Sequence, residues 1–108
     1  MHFDLPDLRL IAAIAESGSL SKAAASVPVA VSAASTRLRQ FEERSGLTLF
    51  IRRADGMQLT PAGRLVLESA RSVLGEARKL HDTLKELAGQ KRISLHLAAS
   101  TAVSYTHL

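Results

Sequence analysis

Between Thr60-Pro61 and Gly89 the apolar residues Val66, Ala70, Val73, Ala77, Leu80, Leu84 and Leu87 recur at alternating steps of four and three, the spacing of a coiled-coil seam. Thr60 offers a capping oxygen and Pro61 stands at the first helical position, where its missing amide is not needed. Gly89 is the expected stop, since glycine ends helices in left-handed geometry without steric cost. A chain of 108 residues supports one modest core and not two. A helix of roughly thirty residues is too long for such a body to cover from end to end. The seam therefore calls for a partner helix from a second chain, which makes these seven residues candidate dimer contacts. Packing of the stripe on its own domain is the competing reading.

Upstream the chain reads as three shorter helices and a hairpin. Asp4 to Glu16 opens with an acidic residue and Pro6 and then places Leu8, Ile11, Ala12 and Ala15, with the neighbouring Ile14, at helical spacing, ending at Ser17-Gly18. Ser19 or Ser21 can cap a short second helix through Ala23, Ala24 and Val27, which Pro28 stops because the residue before proline is pushed out of helical geometry. A third helix is expected from about Val31 to Arg44, with Ala34, Leu38 and Phe41 as its buried stripe and Gly46 beyond its end. Leu47 to Ile51 and Met57 to Thr60 read as two strands about Arg52-Arg53-Ala54-Asp55-Gly56, where Asp-Gly is a hairpin turn signal.

Charge is unevenly placed along this order. The net charge is +4, and residues 18–64 hold all of it: Lys22, Arg37, Arg39, Arg44, Arg52, Arg53 and Arg64 stand against Glu42, Glu43 and Asp55. An excess confined to one segment suits a polyanion, because each phosphate neutralised releases condensed counterions. A solvated basic face with no partner explains the charge equally well. There is no cysteine, so disulfides and thiolate metal sites are excluded, and His2, His81, His96 and His107 do not fall at ligand spacings. No cofactor or metal is expected. No apolar run approaches the roughly 20 residues of a membrane span, and the first residues lack the pattern of a signal peptide, so a cytoplasmic location is the expectation.

Helix, short helix, tight turn, helix and basic hairpin is the order of a winged helix-turn-helix: a mainly α fold of three helices and a β-hairpin wing, here followed by a long linker helix. In that motif the second helix of the pair enters the major groove. Its polar side offers Ser32, Thr36, Arg37 and Gln40 to base edges or phosphates, and Arg52 and Arg53 at the hairpin suit a minor groove or phosphates.

The same residues resemble the LysR-type family of transcription regulators. Gly18-Ser19-Leu20-Ser21-Lys22-Ala23-Ala24 is similar to the family's entry into its helix pair, and Ser32 to Glu43 is similar to its recognition helix. Gly46-Leu47-Thr48-Leu49-Phe50 with Arg52-Arg53 resembles the run into the wing, and Leu59-Thr60-Pro61-Ala62-Gly63 the start of the linker helix. By that resemblance Ser21, Ser35, Arg52 and Thr60 hold the DNA backbone or minor groove, while Val31, Ser32, Thr36 and Arg37 address bases. Where the family often has Ser-Gln or Ser-Pro, this chain has Ala30-Val31, and valine offers only apolar contact, for instance to a thymine methyl. The resemblance further implies a homodimer, or a tetramer of paired dimers, on an interrupted inverted repeat of double-stranded DNA.

The resulting division is a DNA-binding domain over residues 1–60, with its helix-turn-helix at about 20–39, a linker helix over 61–89, and over 90–108 the truncated start of an effector-binding domain. Lys91 to Ala98 alternates as a half-buried strand does. Ser100 and Thr101 match the family's inducer-contacting loop in position, so a small-molecule inducer is expected only through the missing effector domain. Val103-Ser104-Tyr105-Thr106-His107-Leu108 reads like a translated sequencing-adaptor end, an expected artefact that resequencing the locus would test. Three other function classes compete with this reading. An enzyme lacks any nucleophile, metal or phosphate-loop spacing. A coiled-coil interaction module and another winged-helix regulator, such as a molybdate-responsive type, differ from the LysR reading in duplex binding and in domain order respectively.

Overall fold

A computed structural model of the chain describes the backbone of residues 1–106 and the side chains of residues 1–97. Helix α1 (Leu5–Ser17) starts in a reciprocal capping box: Asp7 donates its amide to Asp4 Oδ1 at 3.0 Å, and Asp4 donates its own to Asp7 Oδ2 at 3.2 Å. It ends at Gly18, whose φ of 68° is left-handed and whose amide returns to the Ile14 carbonyl. Ser19 caps α2 (Leu20–Ser26), accepting from the Lys22 amide at 3.3 Å. A tight turn, closed by a Val29 amide to the Ala24 carbonyl at 2.9 Å, leads into α3 (Val31–Ser45). Gly46 ends α3 in left-handed geometry, as expected.

Strands β1 (Phe50–Arg53) and β2 (Gly56–Leu59) form one antiparallel pair in which Phe50 faces Leu59 and Arg53 faces Gly56. The connection is therefore the two residues Ala54-Asp55, and β1 begins three residues later than its sequence suggests. The cause lies in competing partners for the backbone. Leu49 donates its amide to Glu42 Oε2 at 2.6 Å, the Thr60 amide takes the Leu49 carbonyl at 2.9 Å, and the Thr60 hydroxyl takes the Thr48 carbonyl at 2.6 Å. Residues spoken for by side chains and by a helix start are withdrawn from the ladder.

The core gathers the inner faces of the three helices about Ile11, Ile14 and Ala23, none more than 1% exposed, and is closed from below by Leu49 and Phe50. Burying each large aliphatic side chain contributes about 1.5–3 kcal/mol. Two glycines allow the remaining elements to close on it. A Cβ on Gly63 would collide with the Leu49 backbone carbonyl, and a Cβ on Gly56 (φ 136°) with that of Gly18. The Met57 amide donates to the same Gly18 carbonyl at 2.9 Å, which pins the wing to the end of α1.

Helix α4 runs over Pro61–Thr106. This corrects two expectations, a stop at Gly89 and a strand from Lys91 to Ala98. A strand needs a neighbour for its amides and carbonyls, and the described residues contain no strand beyond the wing; a helix satisfies them within its own segment. Glycine in a helix costs about 1 kcal/mol relative to alanine, which the good helix formers Glu86, Leu87, Ala88, Gln90, Lys91 and Arg92 around Gly89 offset.

The chain divides into two compact units, Met1–Gly75 and Glu76–Leu108. In the first, Ala70 is buried in the core and Val66 packs against it, so the start of the seam serves its own domain, and Leu67, outside the seam, is buried as well. In the second, Leu80, Leu84 and Leu87 are all more than half exposed. Ser100 and Thr101 fall within the span of α4, but their side chains lie outside the described residues, as do those of the 103–108 tail.

Candidate nucleic-acid interface

The outward face of α3 is polar because its inward positions are taken by Ala34, Leu38 and Phe41. Ser32, Thr36, Arg37 and Gln40 come together there and, with Val29 and Ala33, line one shallow open groove. Val31 lies at the mouth of the helix, exposed. The residue before it, Ala30, has no side chain able to cap, so no side-chain acceptor meets the first amides of α3. Such a helix start carries partial positive charge.

The wing meets this face where Arg52 donates from Nη2 to Ser35 Oγ at 3.4 Å. Two residues assigned from the resemblance to backbone holding are thus neighbours across 17 positions of sequence. Arg53 points to its own hairpin partner strand, with Nε on Gln58 Oε1 at 3.0 Å. Ser21 is exposed in the first turn of α2. Thr60 is placed differently from the others. Its hydroxyl hydrogen goes to the Thr48 carbonyl and its oxygen accepts from the Gly63 amide at 2.9 Å, so its evident task is to cap α4 and tie it to the run before β1.

Two acidic residues organise the site, and sequence reasoning missed both. Asp7 is buried, its side chain 7% exposed, with Arg44 Nη2 at 3.4 Å from one oxygen and Arg37 Nε at 4.0 Å from the other. Glu42 accepts from the Leu49 amide and, at 3.4 Å, from that of Phe50, so the end of α3 holds the start of the wing. For Asp7 the Asp4-x-x-Asp7 spacing was a usable signal of a cap; nothing local pointed to Arg37 or Arg44. At the edge of the same network, the Asp7 amide donating to Asp4 holds the Asp4 carboxyl below its ordinary value. Among the described residues no cluster of His, Asp and Glu could hold a metal, and no helix is long and apolar enough to cross a membrane.

Three helices, a hairpin wing and an exposed polar second helix of the pair define a winged helix-turn-helix. The profile described as bacterial regulatory helix-turn-helix protein, lysR family, matches residues 5–64, more than half of the chain. The chain belongs to the LysR family of transcription regulators, which is not an enzyme class. It is similar to the RuBisCO operon transcriptional regulator of Allochromatium vinosum, 35% identical over 105 residues that cover 97% of this chain and 35% of that protein. It also resembles the small neutral protease regulatory protein of Streptomyces coelicolor, 36% identical over 106 residues, 96% of this chain and 32% of that one. The chain spans about a third of the length of these relatives. Among solved structures, the CbnR_DBD–DNA complex matches with a TM-score of 0.72 and 29% identity over 80% of this chain and 99% of that one. The BenM_DBD/catB site 1 DNA complex matches at 0.75 and 27%, over 80% and 97%.

Proposed function

We propose that this chain is the DNA-reading end of a LysR-type transcription regulator, which binds an interrupted inverted repeat in double-stranded DNA as a dimer or a higher oligomer of dimers. The observation that carries the reading is the polar groove on α3, with Arg52 joined to Ser35 at its edge. Ser32, Thr36, Arg37 and Gln40 address base edges, and Val31 supplies apolar contact. Ser21, Ser35, Arg52 and Arg53 hold phosphates or a flanking minor groove, which sets register without reading sequence. Thr60 contributes by fixing α4 to the wing, since its hydroxyl is already engaged on both sides. The similar CbnR_DBD and BenM_DBD structures, each a complex with DNA, support the partner class.

Dimerisation falls to the seam of α4, and within it to Val73, Ala77, Leu80, Leu84 and Leu87, because Val66 and Ala70 are already used by the core. A chromosome-reading role places the protein in the bacterial cytoplasm. Regulation by a small-molecule inducer belongs to the part of the longer relatives that this chain does not span.

The test is selection of this chain against a pool of random duplexes at two salt concentrations, with sequencing of the bound fraction. The expected result is an enriched inverted repeat whose binding weakens steeply with salt. Salt-sensitive binding with no enriched sequence would reduce the role to a basic wing, and no binding by the folded chain would leave the interaction-module reading.

A further inference from the structure

Arg37 occupies an unusual position for a groove-facing arginine. It lines the polar groove on α3, yet it also lines the cleft between α1 and the turn after α2, with Pro6, Arg9 and Val29. At the junction its Nε edge is turned to Asp7, 4.0 Å away, while the side chain remains 44% exposed. Asp7 itself cannot move freely. One of its oxygens receives the Asp4 amide at 3.2 Å and Arg44 Nη2 at 3.4 Å, and the residue sits at the capped start of α1. A buried, immobilised carboxylate therefore faces one edge of a guanidinium whose remaining donors are left for other partners.

We propose that Asp7 is a positioning residue for DNA reading: its ion pair draws Arg37 toward one pose on the recognition face and, by offsetting one of the two positive charges of Arg37 and Arg44, restrains binding to unselected duplex. The inference rests on the DNA-reading function proposed above. An arginine on a flexible stem reaches any nearby phosphate, and such contacts carry no sequence information. Fixing one edge of the guanidinium lowers the entropy lost when the other edge meets a base, so discrimination rises. The negative charge of Asp7 works in the same direction, because it opposes the phosphate attraction that drives nonspecific binding. Arg44, on the other oxygen, is the second cation the carboxylate holds, and the three side chains come from two elements of one unit.

The experiment measures competition between the selected duplex and a scrambled duplex of equal length at two salt concentrations. It compares this chain with Asp7→Asn, Arg37→Ala and the double variant, each checked for folding by thermal melting. Asp7→Asn is expected to tighten the scrambled duplex, to steepen its salt dependence by about one phosphate contact, and to lower the selected-to-scrambled ratio about tenfold. In the Arg37→Ala background the same change should leave the ratio within about twofold, because coupled residues are non-additive. An unchanged ratio for Asp7→Asn overturns the proposal, as does an equal loss in both backgrounds or an unaltered ratio for Arg37→Ala. If Asp7→Asn does not fold, Arg37→Lys carries the test from an exposed side chain. It keeps the charge without the fork and should lower the ratio while scrambled binding holds; a retained ratio refutes the positioning role. Absence of any selected sequence for the unaltered chain is read in that arm alone and overturns the DNA-reading function itself.

Discussion

Glu42 stands where α3, the wing and the core meet, and replacing it measures how strongly the wing is held. Its carboxylate takes two amides, Leu49 at 2.6 Å and Phe50 at 3.4 Å, from residues that are 0% and 5% exposed. A hydrogen bond to a charged group contributes about 1.5–3 kcal/mol, and a buried amide left without an acceptor costs about 1–3 kcal/mol. The longer contact adds little, and Glu42 is itself only half-buried, so water reaches part of the site. Glu42→Ala should then cost about 2–3 kcal/mol, and Glu42→Gln about 1 kcal/mol, since the amide keeps an acceptor but loses the charge. For a unit the size of Met1–Gly75 these correspond to falls in Tm of about 8–24 °C and 4–8 °C. Glu43→Ala is the control: its ion pair with Arg39, at 3.8 Å, is exposed and worth about 0.5 kcal/mol or less. Urea unfolding followed by circular dichroism gives the stabilities, and hydrogen exchange at the Leu49 and Phe50 amides localises the loss. If Glu42→Ala falls within about 0.5 kcal/mol of Glu43→Ala, or those two amides keep their protection, the carboxylate does not hold the wing.

Three further outcomes follow from the structure. Gly63→Ala sets a methyl against the Leu49 backbone carbonyl and should destabilise the fold by about 1–3 kcal/mol in the same unfolding assay, whereas Gly75→Ala, with open space around it, should be neutral or stabilising. Because the folded-state pKa of Asp4 lies below its ordinary value of 3.8, its contribution is complete above that value and disappears as pH falls through the lowered one. Thermal melts down to about pH 2 should show Asp4→Asn losing less stability on acidification than the unaltered chain, and parallel curves would refute the assignment. Leu80→Glu with Leu84→Glu, both exposed in the unit Glu76–Leu108, should shift the chain from dimer to monomer in sedimentation equilibrium and leave the melting of Met1–Gly75 intact; a persisting dimer would move the interface elsewhere.

The helix-turn-helix was legible because its signals are local. Ser19 or Ser21 before α2, Pro28 after Val27, and Gly18 and Gly46 at the ends of α1 and α3 mark where the second helix starts and where all three stop. The stripe Ala34, Leu38, Phe41 told which face of α3 is buried, and hence that Ser32, Thr36, Arg37 and Gln40 share the other. The seam of α4 was legible as a period but not as an allocation. Nothing in its spacing says that Val66 and Ala70 belong to the core while Leu80, Leu84 and Leu87 stay uncovered.

What the sequence alone determined, then, is what neighbours along the chain can settle: caps, the stops of the three short helices, the buried stripe of α3 and the segment that carries the positive charge. The tertiary structure decided the rest. It set the start of β1 through Glu42 and Thr60, the joining of Arg52 to Ser35 across 17 residues, and the pairing of Asp7 with Arg44 across 37. A capping signal works over one turn of backbone, whereas a carboxylate's choice among distant amides and arginines depends on which of them the folded core brings within a few ångströms.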